Sequence, residues 1–197
     1  MSISYSFDRC WYMHGACQYY ALAIADLLGG KIGLWLDRNY DFPEGKDIVL
    51  CHAFACISNG LFIDADGAFK NISEREDEFE FNEQYIKLYS VEEAKKILKS
   101  IKVPYTEVKE KRNVREHLRN TMHVFDIKYG GHIHTVGLCG TSIDRVGGTA
   151  RDMLLVRTFD KVHNKPTELT WQIPRDIFGG CVTRYCGEFE YKNWYYK

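Results

Sequence analysis

Apolar residues recur at three- and four-residue spacing in one stretch near the N-terminus. Cys17, Tyr20, Ala21, Ile24, Leu27 and Leu28 fall on one face of a helix that Gly15 enters and Gly29-Gly30 stops. After Gly30 the pattern becomes that of strands. Lys31 to Asp37 reads as a strand, and 38–47, with Pro43-Glu44-Gly45, reads as a loop. Ile48 to Ile57 and Leu61 to Ala65 are the arms of a hairpin about Ser58-Asn59-Gly60. Polar residues dominate the middle. Ser90-Val91-Glu92-Glu93 has the pattern of a capping box, for a helix that runs to about Ile101 before Pro104, and a shorter helix spans Val114 to Asn120. Strand patterning then returns at Met122 to Lys128, Ile133 to Leu138, Met153 to Phe159, Glu168 to Ile173 and Gly180 to Tyr191. Gly130-Gly131, Gly147-Gly148 and Gly179-Gly180 punctuate these runs. The pattern predicts an α+β fold: a cysteine-bearing helix packed on an antiparallel sheet, with a β-rich C-terminal half.

Charge adds a boundary to this picture. From Glu74 to Glu93 eight acids stand against two bases, Arg75 and Lys87, and from Lys95 to Arg119 nine bases stand against three acids. That reversal suggests a core over 1–100 and a β-rich region over 101–197 that completes or extends it, as a second domain or within one. The basic run has one interleaved aromatic, Tyr105, and reads as a solvated helical face. A net charge of −1 likewise argues against a surface built for nucleic acid or anionic membrane. No run of ~20 apolar residues predicts a membrane span. The seven cysteines (10, 17, 51, 56, 139, 181 and 186) are odd in number and irregularly spaced, with no apolar signal stretch ahead of them. The expectation is a reducing, cytoplasmic setting, in a bacterial cell or a virus's host, with most thiols buried.

Cys17 is the thiol whose position matters. It lies on the first turn of its helix, where backbone N–H groups lack intrahelical partners and the helix dipole favours a thiolate. A thiol nucleophile needs a base within reach and a third group to orient that base. His52 opens the run His52-Ala53-Phe54-Ala55-Cys56-Ile57, and Asp64 follows in Leu61-Phe62-Ile63-Asp64-Ala65-Asp66-Gly67. Gly15-Ala16-Cys17, Ala21, His52-Ala53-Phe54 and Ile63-Asp64-Ala65 with Gly67 together resemble the core of the papain-like thiol superfamily. The likeness is to its transglutaminase-like and arylamine N-acetyltransferase-like branches, and it covers residues 15–67. The resemblance implies Cys17 as nucleophile, His52 as general base and Asp64 as orienter, with no cofactor. The tryptophan and arginine signatures of individual branches have no counterpart here.

Hairpin register tests that constellation. With a two-residue turn at Asn59-Gly60, His52 pairs with Gly67, and Asp64 points away from His52. With a three-residue loop and Gly60 left-handed, Ile57 pairs with Leu61 and Phe54 with Asp64, and His52 and Asp64 share a face as diagonal neighbours. Asp66 would then lie opposite His52, as the reserve orienter. Trp11, Tyr12 and Gln18, next to Cys17 in sequence, are candidates for a substrate groove, or for core in the case of the two aromatics. Cys51 and Cys56 read as structural.

A second constellation is His132-Ile133-His134 with Cys181 and Cys186. The two histidines share a strand face, and the cysteines could complete a zinc site, although the Cys-x2-Cys knuckle is missing. The expected function is thiol-dependent acyl transfer or amide hydrolysis on a protein, peptide or small acyl or amide substrate. The alternatives are a non-catalytic interaction or inhibitor protein on the same scaffold, and a zinc-stabilised binding protein. Oligomeric state is left open.

Overall fold

The computed structural model describes residues 7–38, 48–57, 60–75, 86–146 and 149–191, with the backbone alone at 145, 146 and 149. The expected loop beyond Arg38, Ser58-Asn59, the acidic stretch 76–85, Gly147-Gly148 and Trp194-Tyr195-Tyr196 lie outside the described residues. In chain order the elements are α1 (Arg9–His14), α2 (Cys17–Leu28), β1 (Lys31–Arg38), β2 (Ile48–Ile57), β3 (Leu61–Asp64), β4 (Gly67–Phe69), a 3-10 turn (Ile72–Arg75), β5 (Ile86–Tyr89), α3 (Val91–Ser100), α4 (Val108–Asn120), β6 (Thr121–Tyr129), β7 (His132–Val146), β8 (Thr149–Asp160), β9 (Lys165–Pro174), α5 (Arg175–Cys181) and β10 (Val182–Glu190). The fold is α+β, with a β-rich C-terminal half. The chain divides into two compact units, Met1–Val114 and Arg115–Lys197, with the division inside α4.

In the first unit an antiparallel sheet runs in the order β4-β3-β2-β1-β5. The α2 helix packs on it, chiefly on β2. All six residues of the apolar stripe, from Cys17 to Leu28, are buried. Burying Ile24, Leu27 and Leu28 stabilises the unit by roughly 1.5–3 kcal/mol per side chain. Gly29 ends α2 in the left-handed conformation (φ 74°), its N–H donating to the Ala25 carbonyl. Phe54 of β2, Phe62 of β3 and Phe69 of β4 add an aromatic cluster, with ring centroids 5.1–5.5 Å apart in edge-on and tilted contacts. The capping box of α3 is formed as the sequence suggests: Ser90 Oγ accepts from the Glu93 N–H, and the Glu93 carboxylate accepts from the Ser90 N–H.

The β2–β3 hairpin takes the three-residue-loop register. Ile57 pairs with Leu61, Cys56 with Phe62 and Ala55 with Ile63, and Gly60 is left-handed at φ 70°. The strand stops at Asp64, which pairs with Gly67 across a turn at Ala65-Asp66. Asp66 is therefore exposed in that turn and does not come opposite His52.

The second unit is a second antiparallel sheet, in the order β10-β6-β7-β8-β9. Met122, Val124, Cys139 and Phe159 form an apolar cluster on one side. Phe125 meets Phe178 of α5 edge-on at 5.4 Å. Asp126, on the sheet, accepts from Lys161, Arg184 and Thr135. Burial pushes its pKa up, but these three donors outweigh it and the carboxyl is held down to about 2. Among the described residues no helix is long and apolar enough to cross a membrane.

Candidate active site

Three elements of the first unit meet at Cys17. The sulfur is on the opening residue of α2, whose N-cap position is Ala16, without a side-chain cap bond. His52 comes from the middle of β2, opposite Trp35 of β1, next to a bulge in that pairing. Asp64 is the last residue of β3. All three side chains are buried, with Cys17 4 % exposed, His52 2 % and Asp64 1 %. A buried imidazole and a buried carboxylate are costly unless each is paired. Here both are.

The His52 ring is held from two sides. Its Nε2 is 3.3 Å from Asp64 Oδ2, and its Nδ1 is 3.1 Å from the carbonyl of Met13, at the end of α1. A carbonyl and a carboxylate can only accept, so a ring that satisfies both carries a proton on each nitrogen. The cation is the favoured form. Burial opposes it, but hydrogen bonds to Asp64 and then to the Cys17 side chain outweigh burial and lift the ring from 6.5 to about 9. The Cys17 side chain thus lies near the ring and favours its charged form, as a thiol nucleophile beside its base would.

Asp64 is in turn fixed by a residue that the sequence did not point to. Arg75 forks onto it, Nε to Oδ2 at 2.8 Å and Nη2 to Oδ1 at 2.9 Å, and the Asp66 N–H donates to Oδ1 at 3.0 Å. Burial alone would raise the Asp64 pKa, but the bonds to His52 and Arg75 reverse that and lower it. The guanidinium lies 4.5 Å above the Phe69 ring, which orients the fork. The signal for Arg75 was its isolation, as one of two bases among eight acids.

The groove candidates divide. Trp11 is half-exposed, and its indole N–H donates to Glu110 at 3.3 Å. Tyr12 is core: it stacks on Phe7 at 4.6 Å, and its hydroxyl donates to Glu110 at 2.7 Å. Gln18 is buried beside the sulfur. Cys10 is exposed, and burial raises the pKa of both Cys51 and Cys56. The zinc alternative is not assembled. His134 is 3.2 Å from the Tyr129 carbonyl and packs on Trp171, and burial pushes the Cys186 thiol up. Among the described residues no three His, Cys, Asp or Glu side chains gather as metal ligands would. Compared with family models, with curated proteins and with solved structures, the chain matches none.

Proposed function

We propose that the protein is a thiol-dependent acyltransferase or amide hydrolase, with Cys17 as nucleophile, His52 as acid and base, and Asp64 and Arg75 as positioning residues. The observation that carries this reading is the ring of His52, whose charged form the neighbouring Cys17 side chain favours and which is held by a carboxylate that Arg75 itself clamps. The cationic ring stabilises a thiolate, and the first-turn N–H groups of α2 add the positive end of the helix dipole. The thiolate attacks a carbonyl carbon, forming the C–S bond and pushing the carbonyl electrons onto oxygen. The backbone N–H of Cys17 supports that oxyanion. As the oxyanion collapses, the bond to the leaving amine breaks, and the amine takes the proton from His52. The neutral ring then removes a proton from water or an amine, which attacks the thioester and releases the acid or the new amide. The thiolate and the cationic ring are thereby restored.

The experiment is a search for the thioester. Small activated esters and amides are incubated with the wild-type chain and with Cys17→Ala, and intact mass is followed. A transient acyl adduct that maps to Cys17 and is absent from Cys17→Ala is the expected result. Adducts equal in both chains, or none with any acyl donor, would leave the scaffold as a binding protein.

A further inference from the structure

The Cys17 sulfur has a second contact, and it opposes the first. Its thiol donates to Gln18 Oε1 at 3.7 Å, while Gln18 Nε2 donates to the Pro104 carbonyl at 2.7 Å. A backbone carbonyl only accepts, so Pro104 decides which end of the amide carries the N–H groups and turns the oxygen toward the sulfur. An amide oxygen also only accepts, so in this contact the sulfur keeps its proton. A thiolate there would be repelled.

The stretch that begins at Pro104 is fastened at three-residue intervals. The Glu107 N–H donates to the Tyr19 hydroxyl at 3.3 Å. Glu110 accepts from the Tyr12 hydroxyl at 2.7 Å and from the Trp11 indole at 3.3 Å. The Asn113 side chain hydrogen-bonds Tyr12 as well. From Glu107 onward these residues share one side of the opening turns of α4, and all their partners flank Cys17 in α1 and α2. The shortest of these links, Tyr12 to Glu110, is buried. Burial and the Glu110 carboxyl push the Tyr12 phenol far up, so it remains a donor.

We infer that residues 104–113 are a strap that holds the Cys17 side chain against Gln18, with the Tyr12–Glu110 hydrogen bond as its clasp. The inference rests on the reading of Cys17 and His52 as nucleophile and base. When the strap lifts, the Pro104 carbonyl leaves Gln18 Nε2, and the amide is free to turn its oxygen away. The thiol proton passes to water, and a thiolate is left beside the His52 cation. Autoinhibition is then a matter of hydrogen-bond polarity, which one carbonyl imposes on one amide.

The test uses the full chain and two readouts: hydrogen exchange over 104–113, and the labelling rate of Cys17 with a bulky maleimide at neutral pH. Tyr12→Phe keeps the ring stacked on Phe7 and removes the clasp. It is expected to speed both readouts roughly tenfold, the factor a lost hydrogen bond of that kind gives. Trp11→Phe, at a half-exposed site, should speed both by less, and Gln18→Leu should speed labelling. Faster exchange with unchanged labelling would overturn the strap, and so would no change in either readout. Adding His52→Ala to Tyr12→Phe separates the two ideas. Loss of the acceleration supports both. Persistence of the acceleration without His52 sinks the nucleophile–base pair and leaves the strap as a cover over an ordinary thiol.

Discussion

Replacing Asp64 by Asn removes the charge that holds the His52 ring and changes the side chain's shape little. The rise of that ring from 6.5 to about 9 corresponds to about 3 kcal/mol at 1.36 kcal/mol per unit. The hydrogen bond to Asp64 is the largest single influence in that direction, acting against the burial of the ring. In Asp64→Asn the His52 midpoint is therefore expected to fall clearly below about 9. The assay is the pH titration of the imidazole resonances by NMR, with His52→Gln to assign the signal among the seven histidines. Stability follows the same sign. A ring whose folded pKa lies above its unfolded value stabilises the fold fully below about pH 6.5, and that contribution is lost as pH rises through about 9. Urea midpoints of the wild-type chain should fall across that window, and those of Asp64→Asn should be flatter. The substitution also strands Arg75, 13 % exposed, at a cost of up to about 3–5 kcal/mol, so the titration is best read at low temperature. A wild-type midpoint near 6.5, or one near 9 that Asp64→Asn leaves in place, would refute the reasoning.

Three further substitutions probe the frame that positions the site. Gly60→Ala meets no neighbouring atom within 4 Å but must adopt φ 70°, so urea unfolding should show a loss of about 1–2 kcal/mol, all of it backbone strain. An unchanged midpoint would mean the turn is not left-handed. Ser90→Ala removes the side-chain half of the α3 capping box and should cost about 1 kcal/mol by the same measurement. Phe178→Ala empties the edge-on contact with Phe125 in the second unit and should cost about 3–5 kcal/mol, read as a fall in thermal midpoint.

Much of the site could be read from the chain because its geometry rests on local rules. A glycine-containing loop sets the β2–β3 register, and that register alone decides whether Asp64 can share a face with His52. The α2 stripe and its glycine stop were equally local. What was missed depends on context. The α1 helix, Arg9–His14, is too short to show a period, and Asp8 caps it with a 3.3 Å bond to the Trp11 N–H. In α5, Gly179-Gly180 reads as a strand punctuator, although the helix runs through it and buries Phe178. The α4 helix starts at Val108, well ahead of Val114, through Lys109 to Arg112, four charged residues that carry no apolar stripe. The β7 strand extends to Val146 through Thr141, Ser142 and Asp144, polar residues whose pairing with β8 supplies the order their side chains do not. Arg75 reaches Asp64 only once the chain has turned at Ala65-Asp66 and again at residues 72–75, and no spacing rule anticipates that.

The central claim is that Cys17 and His52 act as one unit, and the most direct measurement is the pH dependence of Cys17 alkylation by iodoacetamide, mapped by peptide, in Tyr12→Phe, where the strap is unfastened, and in the same chain with His52→Ala added. An ordinary thiol, with a pKa of about 8.5, reacts slowly below pH 7. With the strap unfastened by Tyr12→Phe, Cys17 is expected to react below pH 7 faster than the exposed Cys10 of the same chain, and adding His52→Ala is expected to abolish the advantage. Cys17 labelling that is slower than Cys10 at every pH and indifferent to His52 would contradict the claim.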